Sequence, residues 1–186
     1  ADVQHKTGAS GELVFVTLHH DIYADEQLLI HERQDLVYRE APRADAPPSR
    51  QIPAPLSAQW SQSIDPTPAL LFRYSALTFN AHRIHYDRDY AIQVDGYSDL
   101  VVHGPLVATL LTKLIADKLP DTRIEDFEYR GVRPLMAGAV FDVEAKLAKK
   151  SGSAEAAIPN RQVIQLWAKD AEGGLTMNAE ATIKHA

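Results

Sequence analysis

Residues 80–87 (NAHRIHYD) bring together side chains that suit proton-transfer chemistry. The imidazole of His85 has an unperturbed pKa near neutrality, which is what a general base needs. The amide of Asn80, five residues earlier, can orient a water or a substrate by hydrogen bonds but cannot exchange a catalytic proton. The pair His82 and His85 is weak evidence for a metal site because no third ligand stands at a useful spacing, and we therefore predict no metal.

A long apolar helix is predicted to begin at Gly104, further along the chain. Pro105 suits the first helical position, Pro120 stops the helix, and apolar residues recur at helical spacing over residues 106–115. The first backbone N–H groups of a helix lack intrahelical partners, and the helix dipole adds partial positive charge there. A carbonyl oxygen bound at this helix start becomes a better electron sink, while His85 supplies the proton transfer.

Residues 72–87 (FRYSALTFNAHRIHYD) and 101–106 (VVHGPL) carry a family resemblance. They resemble the MaoC-like hydratase/dehydratase family, whose members have the hotdog fold and act on acyl thioesters. The branch that looks most similar includes mesaconyl-C4-CoA hydratases, itaconyl-CoA hydratases and mitochondrial-type hydroxyacyl-thioester dehydratases. The resemblance covers nearly the whole chain and is most specific over residues 72–112.

The family signature is an Asp, then Asn and Pro, with a His five residues after the Asp. His85 matches the histidine, whereas Asn80 stands where the Asp is expected. Gly104 matches the glycine whose N–H holds the thioester oxygen. The resemblance therefore implies that His85, Asn80 and Gly104 are catalytic. Because the amide of Asn80 cannot exchange a proton, the family's two-residue acid/base scheme does not carry over, and His85 is expected to act as the single acid and base. The substrate-binding candidates are His82, Arg83, His103, Arg73 and Thr112.

Three arginines, Arg83, Arg73 and Arg130, are candidates to meet an anion, either a CoA phosphate or a substrate carboxylate. The alternative for each is an ion pair at the surface. Asp87 is expected to cap the short helix that follows it rather than to orient the catalytic imidazole. Helix packing accounts for Thr112 more simply than a place in the site.

Length and composition exclude several classes of protein. The chain has 186 residues, no cysteine and a formal net charge of −6, so neither a disulfide framework nor nucleic-acid binding is expected. No apolar run is long enough to span a bilayer, and no signal peptide is apparent. We expect a cytoplasmic protein that needs no cofactor, since its substrate is carried as a CoA thioester.

The predicted fold is α+β, with an antiparallel sheet wrapped around the long central helix at about residues 104–119. Residues 1–12 are predicted to form a turn, and residues 13–20 and 28–38 a hairpin. A short strand over 57–64 and a short helix over 65–75, capped by Asp65 or Thr67, precede the active loop. The later strands are predicted at residues 122–130, 139–148, 162–169 and 175–183, with a turn over 150–160.

Residues 41–56 carry five prolines and are predicted to form a stiff, extended linker. By resemblance, residues 1–40 are the C-terminal strands of an incomplete first hotdog repeat, and residues 57–186 are the MaoC-like hotdog domain. We expect that the remainder of the first repeat is missing from the chain. An unpaired sheet edge and the family's habit of pairing sheets both favour a homodimer or a higher homo-oligomer.

The function predicted from these observations is hydration of an α,β-unsaturated acyl-CoA, or the reverse dehydration. The resemblance implies a dicarboxylic thioester such as itaconyl- or mesaconyl-CoA as a candidate substrate. One alternative is a non-catalytic acyl-thioester-binding module, which Asn80 favours. A second alternative is an acyl-CoA thioesterase, which usually carries a carboxylate on or near the helix, and none occurs over residues 104–112.

Overall fold

The computed structural model describes residues 1–8, 11–39, 51–148 and 160–185. The chain divides into two compact units, Ala1–Ser49 and Arg50–Ala186, and each is considered by itself. Residues 41–50 of the predicted linker and 150–159 of the predicted turn lie outside the described residues.

The first unit is a three-stranded antiparallel sheet in the order β1-β2-β3. Its strands are β1 (Asp2–Gly8), β2 (Gly11–Ala24) and β3 (Gln27–Arg39). The hairpin prediction is confirmed, but the predicted turn over residues 1–12 is wrong because Asp2–Gly8 pairs with β2. The low strand propensity of this Gly- and Ser-containing stretch is overridden by the free edge that β2 offers.

The second unit holds one five-stranded antiparallel sheet in the order β4-β6-β7-β8-β5. Its strands are β4 (Trp60–Ile64), β5 (Thr122–Gly131), β6 (Phe141–Leu147), β7 (Arg161–Lys169) and β8 (Leu175–His185). Between β4 and β5 come α1 (Pro68–Thr78), a 3₁₀ turn (Arg83–His85), α2 (Arg88–Gln93) and α3 (Gly104–Lys118). Residues 52–54, placed in the predicted linker, hydrogen bond to the β7–β8 turn instead.

Helix α3 is the core around which the sheet is built. It contacts all five strands of the sheet, as the predicted wrapped arrangement requires. Its buried side chains repeat at helical spacing and pack against the inward-facing residues of β6, β7 and β8. Those of α3 are Leu106, Val107, Ala108, Leu111, Leu114 and Ile115.

Helix α1 begins and ends with defined caps. The Thr67 side chain accepts a hydrogen bond from the Leu70 N–H, so Thr67 rather than Asp65 caps the helix, and Pro68 takes the first helical position. Because of this cap and this proline, α1 begins at residue 68 and ends at residue 78, which is three positions later at each end than the predicted range of 65–75. At the other end, the Phe79 N–H donates to Ala76 O and the Asn80 N–H to Ser75 O, with Phe79 in the left-handed region.

Candidate active site

His85 is held in one orientation and one tautomer by the backbone. Its Nδ1 lies 2.7 Å from Val101 O. Because a carbonyl oxygen only accepts, Nδ1 carries the proton and the neutral ring keeps its lone pair on Nε2. The Val101 N–H donates in turn to Ile84 O at 2.9 Å, so both the N–H and the carbonyl of Val101 are hydrogen bonded to the 3₁₀ turn. The imidazole therefore presents a basic nitrogen from a fixed position.

The surroundings of His85 keep it uncharged near neutral pH. Burial is the main cause that lowers its pKa below the ordinary 6.5. The hydrogen bond to Val101 O opposes this shift, and the charge of His82 adds to it. The His82 ring is exposed and stands edge-on to His85, with 5.6 Å between ring centroids. A neutral imidazole is the form that takes up a proton, which is what the predicted role of His85 as a base requires.

His103 forms the back of the site. Its ring stacks on that of His85 at 3.7 Å between centroids and 18° between planes. Its Nε2 is 2.8 Å from Ser75 Oγ, and Tyr74 meets the ring edge-on at 4.9 Å. The side chain has 0% exposure, and burial together with the charge of His85 lowers its pKa to about 4. The sequence prediction of His103 as a substrate contact stays a prediction, although so buried a ring suits packing against His85 better.

The buried His103 should make the protein less stable in mild acid. Above about pH 6.5 the ring is neutral in both the folded and the unfolded chain. Between pH 6.5 and 4 the unfolded chain takes up a proton that the folded chain refuses, so the free energy of unfolding falls by up to about 3 kcal/mol. Urea unfolding of the protein and of His103→Phe across this range measures the effect. Equal pH dependence in both proteins would refute the assignment.

The start of α3 lies beside these two imidazoles. His103 is the N-cap residue, but its side chain makes no capping hydrogen bond to the helix. The first N–H groups of α3, including that of Gly104, therefore remain available to an acceptor. His103, the residue before Gly104, stacks on His85, so the helix start lies near this imidazole, and their joint role in one site stays a prediction. The sequence prediction paired Gly104 with His85, and the fold brings their surroundings together.

Asn80 lies at the end of α1 with its amide oriented by the backbone. Its side-chain oxygen accepts the His82 N–H at 3.0 Å, which commits that oxygen to the loop. The NH₂ group can donate to a ligand, and neither end of the amide can take up a catalytic proton. Asn80 and Ser75 line a cavity of about 320 Å³ whose other walls are mostly apolar. The full lining is Phe72, Ser75, Ala76, Phe79, Asn80, Ala81 and Tyr86.

The cationic candidate Arg83 is engaged within its own loop. Its Nη2 donates to Asp87 Oδ2 at 2.8 Å, and its guanidinium lies 3.9 Å from the centroid of the Tyr90 ring. This ion pair and the hydrogen bond from the Tyr90 N–H lower the pKa of Asp87. The predicted cap is confirmed because the Asp87 side chain accepts the Tyr90 N–H at the start of α2.

The remaining candidates are two exposed arginines and one threonine of α3. Arg73 is an exposed residue of α1, and Arg130 is an exposed residue of β5. Thr112 donates its hydroxyl to Thr109 O within α3, as the packing alternative implies. Within the described ranges no cluster of three potential metal ligands occurs, and no helix is both long and apolar enough to cross a membrane.

Sequence reasoning missed Ser75 and the carbonyl of Val101. Ser75 sits inside the family-like stretch, and its place on the buried side of α1 was a usable signal. The carbonyl of Val101 has no signature because every residue carries one.

Comparison with known proteins decides the family. A family model for hydroxyacyl-thioester dehydratase type 2 matches residues 2–137. The chain belongs to the hydroxyacyl-thioester dehydratase type 2 family. The mesaconyl-C(4)-CoA hydratase of Chloroflexus aurantiacus is 43% identical over 180 residues, covering 96% of this chain and 59% of that protein. The mitochondrial hydroxyacyl-thioester dehydratase type 2 of Schizosaccharomyces pombe is 35% identical over 116 residues, covering 60% and 37%.

The chain therefore spans about three fifths of the length of the first of these family members and less than two fifths of the second. Among solved structures, an (R)-hydratase from A. caviae involved in PHA biosynthesis aligns with a TM-score of 0.60 and 19% identity, covering 69% of this chain and 96% of that one. HtdX from Mycobacterium tuberculosis aligns with a TM-score of 0.62 and 19% identity, covering 100% and 68%. These likenesses confirm the predicted hotdog fold, and the family match confirms the predicted MaoC-like relationship.

Proposed function

We propose that this chain catalyses the reversible hydration of an α,β-unsaturated acyl-CoA thioester. The observation that carries the proposal is the pairing of a neutral, tautomer-fixed imidazole with an open helix start. His85 donates from Nδ1 to Val101 O, and its ring stacks on the N-cap residue of α3. This arrangement combines a proton acceptor with N–H donors for a developing oxyanion, which is the pair of groups that hydration of an enoyl thioester requires.

In the proposed reaction the Gly104 N–H binds the thioester carbonyl oxygen and stabilises the enolate. Asn80 donates its NH₂ to the attacking water. The water oxygen bonds to the β carbon while His85 Nε2 takes the water proton, which leaves an imidazolium beside an enolate. The imidazolium then returns this proton to the α carbon, and the carbonyl re-forms. Water is added across the double bond, and the imidazole is regenerated for the next turnover.

For the acyl group, a dicarboxylic thioester such as mesaconyl- or itaconyl-CoA is the first class to test, since the 43% identical relative is named for mesaconyl-C(4)-CoA. Arg83 already pairs with Asp87, so it is the weakest of the arginine candidates for a substrate carboxylate. Arg73 and Arg130 are exposed and stay predictions, as do His82, His103 and Thr112 as substrate contacts.

Absorbance of the enoyl thioester, followed together with free thiol, tests the proposal. The protein is mixed with crotonyl-, itaconyl-, mesaconyl- and a longer enoyl-CoA. Loss of the enoyl absorbance without thiol release is the expected result. Thiol release would instead indicate a thioesterase. Binding of acyl-CoA without turnover of any substrate would indicate a non-catalytic module, the alternative that the amide of Asn80 favours.

We further propose a cytoplasmic homodimer or higher homo-oligomer. Large apolar side chains beside the cavity are exposed in the single chain, with Phe72 at 61% and Phe79 at 94%. Isolated surface apolar residues are ordinary, but adjacent ones mark a surface that another chain or a ligand covers. Light scattering after size exclusion measures the mass, and a monomer at micromolar concentration would contradict the proposed assembly.

A further inference from the structure

Ser75 and His103 form a buried polar pair directly behind the proposed base. Ser75 has 6% exposure and His103 has none. Ser75 Oγ lies 2.8 Å from His103 Nε2, although the two residues are 28 positions apart in the sequence. The flat face of the same His103 ring stacks on His85, with 3.7 Å between the ring centroids. A hydroxyl on α1 thus reaches His85 through one intervening imidazole.

This pair is costly for the stability of the core. His103 Nδ1 is buried and has no hydrogen-bond partner among the described residues. A buried polar atom without a partner destabilises the folded state, and a phenylalanine would fill the same space without that penalty. Packing therefore does not account for a histidine at this position, and its chemistry must be sought in the contacts of its ring.

The contacts of His85 leave one rotation of its ring to be controlled. The hydrogen bond from Nδ1 to Val101 O fixes one atom of the ring but allows the plane to tilt about that bond. The flat face of His103, 18° from parallel, restricts this tilt. Ser75 in turn holds Nε2 of His103, so the stacked ring cannot rotate without losing its hydrogen bond.

Resting on the proposed function, we propose that Ser75 and His103 are positioning residues that hold the plane of the His85 ring for proton transfer. Proton transfer from water requires Nε2 to point along the direction of the departing proton. Among the described residues, two other titratable side chains make edge-on ring contacts with these imidazoles. They are His82, the residue before the 3₁₀ turn, and Tyr74 of α1. Within the part of the chain that the structure describes, neither is hydrogen bonded to the His85 ring, so the stack and Val101 O define its orientation.

Two substitutions of His103 separate its two contacts. His103→Gln keeps an amide that reaches Ser75 but removes the aromatic face, whereas His103→Phe keeps the face but loses the hydrogen bond. We expect His103→Gln to lower kcat for enoyl-CoA hydration by roughly 10- to 100-fold and His103→Phe to lower it by less. KM should stay unchanged in both, and a raised KM would instead support the predicted substrate contact of His103, whose ring has no exposed surface in the free protein.

Ser75 needs a separate design because it also lines the cavity. Ser75→Ala should lower kcat in the wild-type background but have no further effect in the His103→Phe background, where the hydrogen bond is already absent. Ser75→Thr retains the hydroxyl and should restore most of the activity. Thr109→Ala, which removes an exposed hydroxyl bonded to Pro105 O, is the control and should match wild type. Additive losses in the double variant would contradict the linkage through His103.

Proton NMR of the imidazoles reads the proposal without any substrate. The Nδ1–H of His85 is buried and hydrogen bonded, so it should give a signal protected from solvent exchange. We expect this signal to shift and broaden in His103→Gln and Ser75→Ala while thermal unfolding confirms that both variants are folded. An unchanged signal in both would overturn the positioning role. If the wild-type protein hydrates no enoyl-CoA, the proposed function fails, and the NMR result still decides the positioning role.

Discussion

Replacing His85 by glutamine is expected to lower kcat for enoyl-CoA hydration by roughly 1,000-fold, within the range that general bases contribute. The His85 ring is neutral and its tautomer is fixed by Val101 O, so it suits the role of the base. Asn80 cannot replace it, because an amide does not take up a proton near neutral pH. The water proton would then have no acceptor as the oxygen attacks the β carbon. Initial rates of absorbance loss, measured at saturating substrate, give the effect.

The matched control for this substitution is His185→Gln. His185 is an exposed residue at the end of β8, so it shares the chemistry of the change without the location. We expect it to retain wild-type kcat. Circular dichroism and thermal unfolding of His85→Gln show whether the buried position tolerates the amide, which can still donate to Val101 O. A folded His85→Gln variant with kcat within a factor of about ten of wild type would rule out His85 as the base.

Gly104→Pro should lower kcat by roughly 100- to 1,000-fold through the loss of a single N–H group. The first helical position tolerates proline, and its N–H has no intrahelical partner to lose. The preceding residue, His103, is extended with φ −61° and ψ 128°, which is the conformation that a following proline favours. The backbone can therefore accept the ring, and the change removes the proposed oxyanion donor while leaving His85 in place. The same absorbance assay measures it.

Gly104→Ala separates the lost N–H from the added bulk. A Cβ at this position would come no closer than 3.9 Å to Met177, which is an ordinary contact. The alanine variant keeps its N–H, and we expect it to fold and to retain far more activity than the proline variant. Equal losses in the two variants would assign the effect to the size of the side chain near the ligand. Full activity of Gly104→Pro would remove the N–H from the mechanism.

Most of the second unit was predictable from periodicity. The stripe of apolar residues in α3 and the alternation in β6 and β8 are strong signals. The structure confirms the helix and the two strands predicted from them. The predicted boundaries differ from the observed ones where a single capping residue sets the end of an element, as Thr67 does at the start of α1. Strand β1 was missed because its stability comes from pairing with β2, which local composition does not report.

The site was predictable in its parts but not in its assembly. The motif around His85 drew attention to the base, and the helix start at Gly104 was visible from its proline. Two contacts orient the ring: a hydrogen bond to Val101 O, 16 residues further along the chain, and a stack on His103. Neither contact follows from the spacing of residues in the sequence. The pairing of Arg83 with Asp87 follows from their i, i+4 spacing, and for Arg83 it is the surface ion pair that the sequence offers as the alternative to anion binding.

The hydrogen bonds that close the loop after α1 also determine when its conformational entropy is lost. From Asn80 to Asp87 the backbone N–H groups of residues 80, 82, 85, 86 and 87 all have acceptors within the same segment or in α1. Ordering a backbone residue costs about 1–2 kcal/mol, and here the folded chain has met that cost before any substrate arrives. In the proposed reaction, less of the binding energy of an acyl-CoA is then needed to order this loop, and more is left for the reaction itself.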